Sequence, residues 1–334
     1  PAMGVVIEGL PPGLAVDAAA VQQELDRRRP GQSAITTQRQ EADQVEILSG
    51  VFEGVSLGTP VAMLVRNRDA RSKDYDALKE VFRPGHADLA TFEKYGVRDH
   101  RGGGRSSGRE TVGRVAAGAL AKGALATVGV RILGGTVRVG SVVAHERDWT
   151  LVEGNPVRCP DAEAARLMVS LIEKVRDERD SVGGVVEVVA RGVPAGWGDP
   201  TMDKLDAAIA AAMLSIPATK GVEIGSGFGI VDLPGSQAND VFDGVRYASN
   251  HAGGISGGIS NGNEIVARVA VRPATSIGKP QVMAKQGGGT ETVAIEGRHD
   301  PCICPRVVPV AEAMLAITLM DAWLHQRALR GRDR

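Results

Sequence analysis

Two stretches of this chain are written twice in the same order, and that repetition constrains the fold more than any single motif does. Gly9-Leu10-Pro11-Pro12-Gly13 answers to Gly192-Val193-Pro194-Ala195-Gly196, and Val45-Glu46-Ile47 with Ser49-Gly50 answers to Val222-Glu223-Ile224 with Ser226-Gly227. The elements around them repeat as well. Val5-Val6-Ile7-Glu8 reads as a strand from its β-branched run, Asp17 can cap a helix reaching about residue 29, and Pro30 ends it. Strand candidates follow at 44–52 and 60–66. The second half offers a strand at 184–190, a turn, a helix from about residue 203, and strands near Val222 and Ile265. So long a period is not that of a solenoid. It predicts a single domain over 1–334, an internally duplicated α+β fold with approximate halves 1–150 and 151–334, helices layered between sheets, and a site at the seam.

The 334 residues suffice to bury a large core without disulfides or metals. Further helices are expected at 109–127, 161–176 and 309–330. The first is rich in Ala and Gly, which permits close packing, and the last carries an apolar packing face of Val310, Ala313, Met314, Ile317, Met320 and Leu324. Gly287-Gly288-Gly289 and the stretch 276–285 read as a flexible loop. A net charge of −1 argues against a surface built for nucleic acid or an anionic membrane, so basic sites must be local. Arg27-Arg28-Arg29 and the loop 101–109 have the look of RNA-contacting segments, but aromatics able to stack bases make up only 3% of the chain. Cys159, Cys302 and Cys304 form neither a disulfide framework nor a zinc motif, and a reducing cytoplasm is the simplest expectation. No apolar run long enough for a membrane span and no leader is visible, and the chain opens already inside a strand.

Chemistry concentrates in five segments. Asp99-His100-Arg101-Gly102-Gly103-Gly104-Arg105-Ser106-Ser107-Gly108-Arg109-Glu110-Thr111 precedes a helix; its glycines, hydroxyls and helix N-terminus suit an anion such as phosphate. The glycine spacing is neither that of an NTP loop nor that of a dinucleotide fingerprint. Arg83-Pro84-Gly85-His86-Ala87-Asp88 sets an imidazole, able to give a proton near neutrality, between a guanidinium and a carboxylate. Arg298-His299-Asp300-Pro301-Cys302 repeats that association. Asn250-His251-Ala252-Gly253-Gly254-Ile255-Ser256-Gly257-Gly258 is dense enough in glycine to suggest backbone lying against a flat or phosphorylated ligand, and Arg272-Pro273-Ala274-Thr275-Ser276 adds hydroxyls.

Four of these stretches, Gly104 to Thr111, Arg83 to Asp88, Ser249 to Gly254 and Arg298 to Cys302, resemble the signature motifs of the chorismate synthase family and stand in that family's order along the chain, and the resemblance runs from Pro1 to about Arg327. It implies a β-α-β sandwich with helices between antiparallel sheets, a cytoplasmic homotetramer, and conversion of 5-enolpyruvylshikimate-3-phosphate to chorismate by 1,4-elimination of phosphate. Reduced FMN (FMNH2) would be required without net redox change. With no nicotinamide motif in sight, NAD or NADP chemistry would be left to an external flavin reductase. By the same resemblance Arg105, Ser106, Ser107, Pro217, Ala218, Gly257, Arg272, Pro273, Ala274, Thr275, Ser276 and Arg298 contact FMN. Arg28, Arg39, Arg83, Arg109 and Arg298 hold the phosphate and carboxylates, His86 works near the flavin, and Asp300 accepts a proton near flavin N5; no metal is implied. The family opens with a Gly-Glu-Ser-His-Gly motif whose histidine protonates the departing phosphate. This chain starts just after where that motif would lie, so weaker binding and poor turnover are expected. Ala34 stands where many members carry an arginine.

Overall fold

The duplicated letters fold into duplicated hydrogen bonds. A computed structural model describes residues 2–32, 35, 42–67, 78–100, 104–295 and 300–331, apart from the side chain of Arg105. The first half contains β1 Ala2–Ile7, α1 Ala18–Arg28, β2 Val45–Ile47, β3 Val51–Phe52, β4 Val55–Ser56, β5 Val61–Arg66, β6 Val81–Phe82, α2 Asp88–Tyr95, α3 Thr111–Ala126, β7 Arg131–Val139 and β8 Val142–Val143. After it come α4 Ala162–Asp177, β9 Gly184–Arg191, α5 Leu205–Leu214, β10 Thr219–Ile224, α6 Gly235–Ala238, β11 Ile255–Ser256, β12 Ile259–Ser260, β13 Ile265–Val271, β14 Gln281–Lys285, β15 Thr290–Val293 and α7 Cys304–Arg330.

One antiparallel sheet has the order β1-β5-β2. A second, β10-β13-β9-β7-β8, contains the same three-strand pattern in β9-β13-β10. The registers correspond: Val6 faces Ala62 as Val189 faces Val266, and Ile47 faces Met63 as Ile224 faces Ala267. The proline-glycine turn after the first strand of each unit is held by a serine in the following hairpin. Ser56 Oγ donates to Pro11 O (2.6 Å) and accepts from the Leu14 N–H (3.0 Å); Ser260 Oγ donates to Pro194 O (2.6 Å) and accepts from the Trp197 N–H (2.9 Å). The Gly13 N–H reaches Ser56 O and the Gly196 N–H reaches Ser260 O. This recurrence explains why the turn letters survive in both halves: a hydroxyl buried against the backbone must keep its partner.

The helices lie between the sheets. α1 and α3 pack on β1, β2 and β5, α5 and α7 pack on the five-stranded sheet, and α3 crosses α7 in the middle. Asp17 caps α1 by accepting from the Ala19 N–H (2.8 Å), and Asp161 caps α4. At the crossing a Cβ on Gly118 would lie 2.2 Å from that of Ala313, so only glycine permits this approach. Beside it, buried Glu312 of α7 accepts from Arg27 of α1 (2.6 and 2.9 Å) and Lys122 of α3 (2.5 Å); both cations also reach Glu24. On the sheet side Glu312 fills the space over Gly134 of β7, where a Cβ would meet Oε1 at 2.9 Å. Burial alone would raise the Glu312 carboxyl, but the Lys122 charge and the bonds from Arg27 and Lys122 bring it from 4.5 down to about 2.

Three expectations need correction. The last helix begins at Cys304 rather than Pro309, so Pro309 lies inside it. Pro309 cannot donate to Pro305 O, which instead accepts from buried Arg158 Nη1 (2.6 Å), so the helix continues past it. The stretch read as flexible is in part a hairpin: β14 pairs with β15 and β6, burying Met283 with Leu78, Val81 and Ile295. The strand expected over 44–52 divides into β2 and β3 around Ser49, whose hydroxyl donates to Pro60 O.

Gly118→Ala should lower stability by about 1–3 kcal/mol, although alanine is the better helix former, because the added methyl overlaps backbone; urea unfolding of the two proteins measures it. Glu312→Gln leaves two half-buried cations underpaired and should cost about 3 kcal/mol at neutral pH. The Glu312 pKa is depressed on folding, so its stabilisation is present above about 4.5 and lost as pH falls towards about 2. Over that range the difference between wild type and Glu312→Gln should shrink in urea titrations.

Candidate active site

Four helix ends from the two halves converge on one cleft of about 340 Å³. The C-terminal ends of α1 and α5 bring Arg28 with Pro30, and Ile216 with Pro217 and Ala218. The starts of α3 and α7 bring Gly108, Arg109 and Thr111, and Ile303, Arg306, Val307 and Val310. α3 runs on from a short 3-10 turn, Gly108–Glu110, which Ser107 caps by accepting from the Arg109 N–H (3.3 Å), and α7 opens with Cys304 and Pro305, the latter without an N–H. Ser106, Ser107, Arg83, His86, Asp300 and the stretch 272–276 complete the wall.

The three consecutive arginines at the end of α1 go separate ways. Arg27 turns inward to Glu312 and Arg29 lies exposed near Asp26. Arg28 is buried at the cleft, donating from Nε to Thr111 Oγ1 (3.1 Å) and from Nη2 to Gly108 O (2.8 Å). Its Nη1 pairs with Asp43 Oδ2 (3.3 Å), while Arg109 Nη1 takes Asp43 Oδ1 (2.5 Å), so one fully buried carboxylate orients two cations. Asp43 sits at φ 43°, a left-handed conformation that aspartate tolerates better than most residues. Gln22 of α1 ties the segment down, donating to Asp43 O (3.3 Å) and accepting from the Val45 N–H (3.1 Å). No motif in the sequence points to Asp43.

A second buried carboxylate organises the turn after β6. Asp88 accepts from Arg83 Nε (2.7 Å) and Nη2 (2.9 Å), lies 2.9 Å from His86 Nδ1, and pairs with Arg98 Nη1 (3.3 Å). Burial would raise its carboxyl, but the hydrogen bonds and charges of Arg83 and His86 hold it well below the usual carboxylate range. This turn docks on the 272–276 stretch through Arg272, which donates to Gly85 O. The Arg272 N–H reaches Ala218 O (2.9 Å), and Ser181 Oγ donates to Ala274 O (2.6 Å). Ala218 sits at φ 71°, a strained value for alanine, and it faces the cleft. Across the space Asp300 pairs with Arg306 Nη1 (2.5 Å), whose Nε donates to Arg28 O (3.2 Å). Sequence reasoning did not single out Arg306; its place in the first turn of α7, six residues beyond Asp300, becomes visible only once the helix start is known.

The structure thus gathers His86, Asp300, Ser106, Ser107, Pro217, Ala218, Arg272, Pro273, Ala274, Thr275, Ser276, Arg28, Arg83 and Arg109 around one cleft. Arg39 and Arg298, with Ala34, lie outside the described residues, as does the side chain of Arg105. Gly257 is placed elsewhere. It turns the β11–β12 hairpin, which packs at the N-terminal end of α5 through the Leu205 N–H to Gly258 O (2.9 Å), whereas the cleft takes the other end of that helix. Backbone packs closely on glycines nearby, a Cβ on Gly253 lying 2.3 Å from Gly225 N, whereas nothing lies within 4 Å of the place a Cβ would take on Gly257. His251 pairs with Ser226 Oγ at 2.9 Å, and Asp240 accepts from its N–H. With Asp43 and Asp88 set behind the wall, the lining carries five arginines against Asp300, which suits a small ligand bearing several negative charges.

The family model described as chorismate synthase matches residues 1–324. A chorismate synthase of Chloroflexus aggregans is 56% identical over 99% of this chain and 92% of its own length. One from Methanosarcina mazei is 54% identical over 97% of this chain and 91% of its own. A solved structure titled "Crystal Structure of Chorismate Synthase" superimposes with a TM-score of 0.76 at 33% identity, covering 97% of this chain and 88% of that one.

Proposed function

We propose, on the premise that this chain belongs to the chorismate synthase family, that its cleft seats the substrate beside a reduced FMN. Membership makes the protein a carbon–oxygen lyase of the shikimate pathway. It expels phosphate from 5-enolpyruvylshikimate-3-phosphate to give chorismate, which supplies aromatic amino acid biosynthesis. The observation that carries the reading is the convergence of five arginines, from both halves of the fold, on one space, the arrangement a substrate with a phosphate and two carboxylates requires.

The residues present also fit a flavin. Ile216, Ile303, Val307 and Val310 supply an apolar wall for a planar ring, Pro217 and the strained Ala218 bring backbone close to it, and Ser106, Ser107, Thr275 and Ser276 supply hydroxyls. Reduced FMN, when bound, supplies electron density transiently and recovers it, with no net redox change. Arg28 and Arg109, oriented by Asp43, and Arg83, oriented by Asp88, pair with the anionic groups and hold the substrate in register. His86 gives or takes a proton at the ring nitrogen remote from Asp88, and Asp300, held by Arg306, accepts one as phosphate departs. A separate flavin reductase would keep the cofactor reduced. The described cysteines are all buried free thiols, which fits a reducing cytoplasm.

A homotetramer is the favoured assembly. Phe228, Val231 and Val245, in the excursion between β10 and β11, are 80%, 79% and 88% exposed, and Val6, Leu48 and Phe52 stand exposed around the three-stranded sheet. Patches of this kind are normally covered by another chain. Light scattering should therefore give a mass near four 34.9-kDa chains, and a single-chain mass would refute the assembly. Under anaerobic conditions, with chemically reduced FMN and 5-enolpyruvylshikimate-3-phosphate, chorismate and inorganic phosphate should form in equal amounts. Oxidised FMN alone should give none, and absence of product with reduced FMN from a version that also carries the opening Gly-Glu-Ser-His-Gly motif would remove the reading.

A further inference from the structure

We infer that Asp88 is a positioning residue that fixes His86 in the tautomer bearing hydrogen on Nδ1, leaving Nε2 as the ring nitrogen for proton exchange in the cleft. The argument follows from the donor inventory around one nitrogen. His86 Nδ1 lies 2.9 Å from Asp88 Oδ1 and 3.1 Å from Arg83 Nη2. A carboxylate only accepts and a guanidinium only donates. Arg83 directs its Nε hydrogen and one Nη2 hydrogen to the two oxygens of Asp88, at 2.7 and 2.9 Å, and its second Nη2 hydrogen is the one competing donor to Nδ1, at the longer distance of 3.1 Å. A lone pair on Nδ1 would face the charged Oδ1 at hydrogen-bond distance with no hydrogen between them. A hydrogen on Nδ1 closes that contact.

The carboxylate cannot turn away to relieve the arrangement. Its oxygens are gripped by Arg83, and Arg98 pairs with Oδ1 while stacking over Phe82 and donating to the carbonyls of Leu78, Lys79 and Val81. Arg272 holds the same turn from the other side through Gly85 O. The charged groups around His86 are therefore Arg83, Asp88, Arg98 and Arg272, and Asp88 alone of these can take a hydrogen bond from the ring. The function of this tautomer rests on the reading that His86 faces the reacting ligand, whereas its existence does not.

Two measurements separate these points. In protein labelled with ¹⁵N-histidine, recorded at about pH 8.5, above the ordinary imidazole range, long-range ¹⁵N–¹H correlations report the hydrogen on each of the six histidines, and loss of one signal set in His86→Gln identifies His86. Hydrogen on Nδ1 is expected in the wild type. Hydrogen on Nε2 overturns the inference, and this test needs neither a carboxylate variant nor activity. In Asp88→Asn the amide can donate to Nδ1 and keep an oxygen for Arg83, so His86 should change to the Nε2–H form. With that change kcat should fall about 100-fold while KM rises less than about 10-fold. Asp88→Glu, which restores an acceptor, should recover part of the kcat. A kcat for Asp88→Asn within about twofold of wild type would overturn the positioning role. A wild-type enzyme that carries the opening Gly-Glu-Ser-His-Gly motif and forms no chorismate would instead count against the proposed function, leaving the tautomer result to stand by itself.

Discussion

Gly118 lets α3 approach α7 so closely that a methyl group in its place would overlap Ala313, and the arrangement of the other layers follows from that contact. Each of these helices lies on its own sheet, so the crossing fixes the distance between the sheets. The preceding residue of α7, Glu312, draws Lys122 of α3 and Arg27 of α1 to the same point. A buried charge of this kind specifies geometry more than it adds stability, because only a narrow range of helix positions satisfies all its partners. Arg27 is held there, and its neighbour Arg28 is thereby delivered to the cleft. The core and the site are thus joined through two consecutive residues.

Much of this was legible in the sequence, and the reasons differ by element. The turn letters around Pro11 and Pro194 persist because the serines of the later hairpins depend on those carbonyls, which left the duplication readable. The arginine, histidine and serine segments stood out because chemistry requires those types in short runs. Asp43 and Arg306 did not stand out. Each acts on a site residue distant in sequence or across a helix start, and a lone charged residue in a polar stretch carries no local mark of what it will meet. The glycine run at 253–258 is ambiguous in the sequence, since close approach of backbone to backbone, as at Gly253, and of backbone to ligand ask for the same residue. Pro309 signalled a helix start because its missing hydrogen bond is made good by Arg158, more than a hundred residues earlier.

The two aspartates set behind the cleft share one design. Asp43 spans Arg28 and Arg109; Asp88 spans Arg83 and His86. Gathering cations around an empty polar space would be strongly unfavourable without counter-charges, and counter-charges within the cleft would compete with an anionic ligand. Placing the carboxylates in the rear lowers the repulsion while the guanidinium edges still face forward. It also restricts their rotation, which reduces the ordering that ligand binding must impose.

The cleft lies between like elements of a duplicated fold: two helix C-terminal ends, each soon followed by a proline, and two helix N-termini. A pocket whose opposing walls were identical would receive a ligand equally well in either of two orientations related by a half-turn, and only one of these could place the reacting bond beside the catalytic groups. The halves avoid that ambiguity by differing in charge where they agree in backbone. The end of α1 presents Arg28, the end of α5 presents Ile216, Pro217 and Ala218, and a ligand with one anionic and one apolar side can enter this scaffold only one way round.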